Sequence, residues 1–162
     1  MSMLNTVAVI LALLGSAVIA GVFFAFSSFI MKALAKRPSP EGIAAMQSIN
    51  VVVLNPAFLG TFMGTALVSL LIAVLAVMAW STPAAPWMLA GAISNFVGTF
   101  LVTGLGNVPL NDQLAAVSAA DPEAVPVWDH YLDRWTLLNT IRTMAATAAT
   151  LTFVIGLIQG YR

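Results

Sequence analysis

Apolar and charged positions in this chain are segregated into long blocks. Residues 1–31, 42–111 and 143–161 contain no Asp, Glu, Lys or Arg. A bilayer core of about 30 Å is crossed by about 20 apolar residues, and the Pro and Gly positions divide the chain into four such runs. The first predicted helix extends from about Leu4 to Ala35 and stops at Pro38-Ser39-Pro40. Ser39 is suited to an N-cap and Pro40 to the first turn of a short helix over about 40–54. Asn55-Pro56 repeats that signal and opens a second long helix, about 56–80. In the turn Ser81 to Pro86, Pro83 ends one helix and Pro86 suits the first turn of the next. The third long helix covers about 86–105 and is expected to break at Gly104, Gly106 and Pro109. Asn111 is then suited to cap a short polar helix near 112–119. Asp121-Pro122 and Pro126 are further stops, and a fourth long helix runs from about 126 to 159. The expected fold is all-α: an integral membrane four-helix bundle forming one transmembrane domain over 1–162. It carries a short extra helix between helices 1 and 2 and a polar loop between helices 3 and 4.

Four antiparallel spans gather the charges at one end. Lys32, Lys36, Arg37, Glu41, Asp112, Asp121, Glu123, Asp129, Asp133, Arg134 and Arg142 fall on the side of the first and third loops, and only Arg162 falls opposite. Whatever chemistry the chain performs is expected at that rich end. By the positive-inside rule, Lys32, Lys36, Arg37 and Arg134 put loops 32–55 and 106–135 in the cytoplasm and both termini outside, as in a bacterial inner membrane. The opening apolar run is too long for the core of a signal peptide, and no Lys or Arg precedes it, so a retained membrane helix is expected even though Ala33-Leu34-Ala35 mimics a cleavage site. Composition agrees: the chain is 60% hydrophobic and 7% charged, against about 25% charged for soluble domains. A formal net charge of zero gives no electrostatic case for nucleic acid or for a polybasic lipid anchor. The absence of Cys excludes disulfides, thiolate catalysis and Cys-ligated metals.

Two patterns at the rich end carry candidate chemistry. Phe23, Phe24, Phe26, Phe29, Phe58, Phe62, Phe96 and Phe100 all fall in the half-bilayer beside the charged loops, and only Phe153 does not. Such a bias suits an aromatic-walled pocket, or plain core and lipid-facing packing. On the fourth helix, Trp128, Tyr131, Trp135, Asn139 and Arg142 are spaced 3, 4, 4 and 3 residues apart, which places them in an arc of about 80°. The aromatics of this stripe suit stacking, or an interfacial belt; Arg142 either faces the bundle or snorkels to lipid phosphate. Asn139 has no long stem with which to reach water, which favours an inward stripe. Asn50 shares the apolar face of the short helix with Ile43 and Met46 and needs a partner. Asn107 and Asn111 bracket Val108-Pro109-Leu110 as turn formers or as further amides of the same polar end. His130, the only histidine, belongs to the residue type suited to proton transfer near neutral pH. It points almost opposite the stripe, toward Asp133 and Arg134. One His cannot supply two axial haem ligands, and the spacing of Asp129, His130 and Asp133 is not diagnostic of a metal.

The same residues carry a resemblance. Gly21-Val22-Phe23-Phe24-Ala25-Phe26-Ser27, Met46-Gln47-Ser48-Ile49-Asn50 ahead of Asn55-Pro56, Asn107-Val108-Pro109-Leu110-Asn111, and Trp128 with Trp135-Thr136 and Asn139 to Arg142 resemble the anthrone oxygenase-like family of small four-helix membrane proteins. That resemblance implies an oxygenase that oxidises an electron-rich polycyclic phenol of the anthrone type to a quinone with O₂, without flavin, metal or other cofactor. Loss of the acidic methylene proton gives an anion that can reduce O₂ directly, so the site needs an apolar slot, stacking surfaces, a cation or amides at the developing oxyanion, and a base. Phe23, Phe26 and Phe62 are candidates for the slot, Trp128 and Trp135 for stacking, and Arg142, Asn139 and Asn50 for the oxyanion. Asn107 and Asn111 are candidates for substrate contact, and Tyr131, His130 or Asp133 for the base. The expected partners are the lipid bilayer, an apolar aromatic small molecule and O₂. Two other functions fit the same residues: a non-catalytic protein binding a quinone-like or other apolar ligand, and a structural or assembly subunit. The latter would form a homo-oligomer through Gly15, Gly21 and the small-residue run Ala145–Ala149. No acidic residue lies within a predicted span, which leaves transport without a proton or cation relay.

Overall fold

The computed structural model describes residues 3–160, so Arg162 lies outside the described residues. These residues form helices and short connections, with no strand. The helices are α1 (Met3–Ala35), α2 (Ser39–Val52), α3 (Pro56–Met78), α4 (Ala85–Ala115) and α5 (Ala124–Gly160). All but α2 are long and apolar enough to cross a membrane, and the chain is an integral membrane protein. The four long helices close an up-and-down ring in which α1 and α4 each pack on both α3 and α5. At about 1.5 Å per residue, the 37 residues of α5 reach well past a bilayer core. The projecting first turns of α5 support α2 and the end of α4.

Local signals account for most of the element boundaries. Asn55 caps α3 as expected, its side chain accepting the Phe58 N–H at 3.0 Å, with Pro56 in the first turn. Ser39 does not cap α2; it is the first helical residue, and the Pro38 carbonyl takes the Glu41 and Gly42 N–H groups instead. The largest departure is in α4, which continues to Ala115 through the expected break. The segments Phe96–Leu101 and Thr103–Asn107 are π-helical, and the Val108 N–H reaches back five residues to the Thr103 carbonyl. A proline inside a regular α-helix loses one ladder bond and strikes the carbonyl four residues back. Pro109 instead falls in the first turn after a widened segment, where that conflict is relieved. A third π turn, Phe26–Ile30, interrupts α1 at the same end of the bundle.

The two ends pack differently. Val9, Ala12, Ile72, Ala76, Met88, Ala92, Ala149 and Phe153 fill the uncharged end. Small residues let the helices approach closely there and toward mid-bundle. A methyl group added at Gly91 would lie 2.7 Å from the Phe153 ring, and one at Gly98 2.5 Å from Ala145 Cβ. The small-residue run of α5 is thus used within the chain, with Ala146 and Ala149 wholly buried and Gly15 facing Thr65. At the charged end, Met31, Ile43, Met46, Leu110, Leu114, Trp128, Tyr131 and Trp135 form a second core of larger side chains. Gln47 ties α2 to it, donating to the Leu114 carbonyl at 2.8 Å and the Val117 carbonyl at 2.9 Å. Leu114 is in the last turn of α4 and Val117 just past its end, where carbonyls lack helical partners.

Candidate functional site

The regularity of α5 turns its stripe inward. Trp128, Tyr131, Trp135, Asn139 and Arg142 are all buried. The three aromatic rings form a ladder, Trp128 on Tyr131 and Tyr131 on Trp135, each with centroids 5.8 Å apart and planes within 20° of parallel. Below the ladder, Asn139 donates to the Phe23 carbonyl and to Ser27 Oγ, both at 2.7 Å. Ser27 lies in the π turn of α1, so that turn supplies an acceptor to the stripe. Asn139 Oδ1 in turn accepts from Arg142 at 2.8 Å.

Arg142 is 4% exposed. Its second terminal nitrogen donates to Thr103 Oγ1 at 3.0 Å, and Thr103 begins a π turn of α4. The guanidinium carbon lies 4.1 Å from the centroid of the Phe23 ring and 5.2 Å from that of Trp135. Each ring face stabilises a cation by about 0.5–2 kcal/mol, which works against the ~2.5–3.5 kcal/mol cost of a charge at membrane depth. Both hydrogen-bond acceptors are neutral, and Nε is buried without a partner. The ion pair formed among the described residues is elsewhere, between Arg37 and Glu41 on the surface. Arg142 is therefore a buried cation, fixed in place and without a counter-anion among the described residues.

The ladder also organises the amides. Asn111 Oδ1 accepts the Tyr131 hydroxyl and the Trp135 indole N–H, both at 2.8 Å. Asn50 donates to the Tyr131 oxygen at 3.3 Å, which links α2 to α4 through α5. Asn107 donates to the Trp135 carbonyl at 3.2 Å, and its own Oδ1 is buried without a partner.

These groups border a cavity of about 400 Å³ between α1, α2, α3 and the end of α4. That size falls within the roughly 300–1,000 Å³ of small-molecule sites. A second cavity at the uncharged end, beside Val9 and Met88, is about 60 Å³. The walls of the large cavity are mainly apolar and include Phe23, Phe26, Phe58, Phe62 and Trp135, with Gln47, Asn50, Thr103, Asn111, Asp112 and Arg142 as the polar groups. Its rim includes Val51, Leu54, Met63 and Val108, which are exposed.

Seven of the residues singled out from sequence therefore meet in one wall: Phe23, Phe26, Phe62, Trp135, Asn50, Asn111 and Arg142. Tyr131, Asn139 and Asn107 each stand one hydrogen bond behind it. Trp128 is not part of the wall; it packs on Tyr131 and beneath Gly42 of α2, which makes it a prop rather than a stacking surface for a ligand. His130 and Asp133, the other base candidates, do not line the cavity. Both are exposed on the outer face of α5, because that helix starts regularly and nothing swings them inward. Phe24 and Phe29 also face outward, so the phenylalanine bias serves both cavity and lipid surface. No group of three or more His, Cys, Asp or Glu able to hold a metal occurs among the described residues.

Sequence reasoning assigned no site role to Thr103, Asp112, Gln47 or Ser27. The available signal for Asp112 was its spacing: Val108, Asn111, Asp112 and Ala115 share a face at i, i+3, i+4 and i+7, and all four line the cavity.

Fold and site together define a small integral membrane protein of the four-helix type, with an aromatic-walled, cation-bearing cavity at its charged end. A sequence model of the anthrone oxygenase family matches residues 56–152, more than half of the chain, and the chain belongs to that family. The matched segment holds Phe58, Phe62, Thr103, Asn111, Asp112, Trp135 and Arg142, whereas α1 and α2, which complete the cavity, lie outside it. No curated protein and no solved structure matches the chain.

Proposed function

We propose that this membrane oxygenase-like protein oxidises an anthrone-like polycyclic phenol to the quinone with O₂, the organic substrate entering the cavity from the bilayer. The observation that carries this reading is Arg142, a buried cation without a counter-anion in the wall of a ligand-sized aromatic cavity. A planar aromatic substrate would lie among Phe23, Phe26, Phe58 and Phe62, with Trp135 beside it. Its oxygen, which gains negative charge when the acidic methylene is deprotonated, would meet the unused N–H groups of Arg142. Such fixed donors stabilise a developing oxyanion without reorganising at the moment of reaction. Asn139 holds the guanidinium in place, and the Asn50–Tyr131–Asn111 relay keeps the wall rigid. The reaction so described needs no flavin or metal. The exposed apolar rim supports loading from lipid. Lys32, Lys36, Arg37 and Arg134, all exposed at the charged end, support a cytoplasmic location for that end in a bacterial inner membrane, with both termini outside.

The test is oxygen uptake by detergent-purified protein, metal-analysed beforehand, with emodin anthrone or dithranol. Uptake above the spontaneous rate, lost in Arg142→Ala and in Asn139→Ala proteins that remain folded, is the expected result. Tight binding without uptake would reassign the cavity to a non-catalytic ligand-binding protein. Since the chain has no cysteine, Ser118→Cys and Ser81→Cys labelled with an impermeant thiol reagent in intact cells report the orientation: only Ser81→Cys should react.

A further inference from the structure

The oxidation above needs a group to take the substrate's proton, and the relay around Arg142 does not provide one. We infer that Asp112 is this base, acting at the cavity that Arg142 also lines, with Arg142 holding the charge left behind. The inference rests on the anthrone-type reading.

Position supports it first. Among the described residues, Asp112 is the only Asp, Glu or His in the cavity wall. Asp129, His130 and Asp133 are on the outer face of α5, Glu41 is paired with Arg37, and Asp121 accepts the Glu123 N–H in the connection before α5. The Tyr131 hydroxyl is behind the wall and donates its hydrogen bond to Asn111 Oδ1. Asp112 is exposed at the open rim of the cavity, where the π turns carry α4 past Pro109 as continuous helix. The face Val108, Asn111, Asp112 and Ala115 is thereby turned to the cavity.

Charge supports it second. Among the described residues, no hydrogen bond or ion pair holds the Asp112 carboxylate. Arg142 likewise has no anionic partner. An exposed acidic residue and a buried guanidinium held by neutral partners thus line one cavity without forming an ion pair with each other. A neutral ligand lying between them can give a proton to one and direct the resulting negative charge to the other.

The chemistry balances. The methylene C–H bond breaks, its proton passes to the Asp112 carboxylate, and its electron pair enters the ring system as an enolate whose oxygen is held by Arg142. The enolate transfers electrons to O₂, a C–O bond forms, and the resulting peroxide anion takes the proton back from Asp112. The regenerated carboxylate removes the second C–H proton. As the carbonyl forms, the O–O bond breaks, and the departing hydroxide takes that proton to become water. One anthrone and one O₂ give one anthraquinone and one water.

The test separates proton transfer from oxidation. Full-length protein in nanodiscs is incubated with dithranol in D₂O without oxygen, and deuterium uptake at the methylene carbon is followed by mass spectrometry. Dithranol binding is measured in parallel by tryptophan quenching. Wild-type protein should accelerate exchange above the spontaneous rate. Asp112→Asn should lose at least about 10²-fold of that acceleration, the usual scale for a positioned base, while still binding dithranol. Asp112→Glu should restore part of it, and Asp112→Ser serves if the amide disturbs the helix end. Exchange at the wild-type rate in folded Asp112→Asn protein would overturn the assignment, as would no acceleration by the wild type. Oxygen uptake judges the oxidation separately. Exchange that depends on Asp112 without uptake retains the base and overturns the oxidation, whereas uptake with undiminished exchange in Asp112→Asn protein does the reverse.

Discussion

The uncharged end and the charged end of this bundle are built from the same four helices, yet they solve opposite problems. At the uncharged end, Gly91 and Gly156 lie against Phe153 and Met88, and the cavity that remains is about 60 Å³. At the charged end, three segments of π-helix interrupt α1 and α4, indole and phenol rings hold the helices apart, and about 400 Å³ is left open. π turns are rare and are found frequently at functional sites. Here they place Ser27 and Thr103 as partners of the Asn139–Arg142 pair and let α4 continue past Pro109. Close packing at one end holds the bundle together; irregular helix at the other keeps a polar-walled space open.

If the division holds, the largest effect on stability comes from the uncharged end. Phe153→Ala removes a wholly buried ring and should cost about 3–5 kcal/mol. Thermal unfolding in detergent should show the loss, while oxygen uptake per folded molecule stays unchanged. A matching loss of turnover at full folding would mean that the two ends are not separable.

Arg142→Met should give the opposite result. Turnover should fall by about 10²-fold or more, as when one oxyanion donor is removed. Stability should hold or rise, because replacing a buried charge by an apolar side chain of similar volume is often neutral or favourable. Strong destabilisation would instead make Arg142 a structural clamp, with Thr103 and Asn139 as the bonds that matter.

An intermediate effect is expected at Asn111, where one oxygen serves two aromatic donors. Asn111→Leu leaves the Tyr131 hydroxyl and the Trp135 indole N–H without their shared acceptor, at about 1–3 kcal/mol for each buried donor so stranded. Both unfolding temperature and dithranol affinity should fall together, because the ladder is at once part of the core and the support of the wall. A fall in affinity alone would show that Asn111 touches the ligand without bracing the rings.

How far the sequence disclosed this site depended on helical regularity. The stripe from Trp128 to Arg142 was legible because α5 is unbroken α-helix there, so 100° per residue describes it. Asn50 was legible because an amide on an apolar face must find a partner, and it finds Tyr131. Thr103 was hidden because π turns change the rotation per residue in its part of α4, and Asp112 because Gly104, Gly106 and Pro109 resemble a stop ahead of it. Ser27 was hidden for the same reason in α1. The roles assigned to the single residues of the stripe were less legible than its direction. Periodicity shows that Trp128 points inward, but only the packing of Gly42 against it shows that it supports α2 and does not border the cavity.

The smallest effect should come from His130, the side chain whose chemistry most invites a catalytic role. It is exposed on α5 beside Asp129, Asp133 and Arg134, on the far side of the helix from Arg142. His130→Ala should change stability by no more than about 0.5 kcal/mol, as for surface positions without special contacts. Oxygen uptake and anaerobic deuterium exchange should both keep their wild-type rates. Loss of either rate in a folded His130→Ala protein would require α5 to rotate or unwind at its start when substrate binds. The cavity wall built by Trp135 and Arg142 would then describe a resting state, and the proton acceptor would have to be sought on the outer face of α5 instead of at the end of α4.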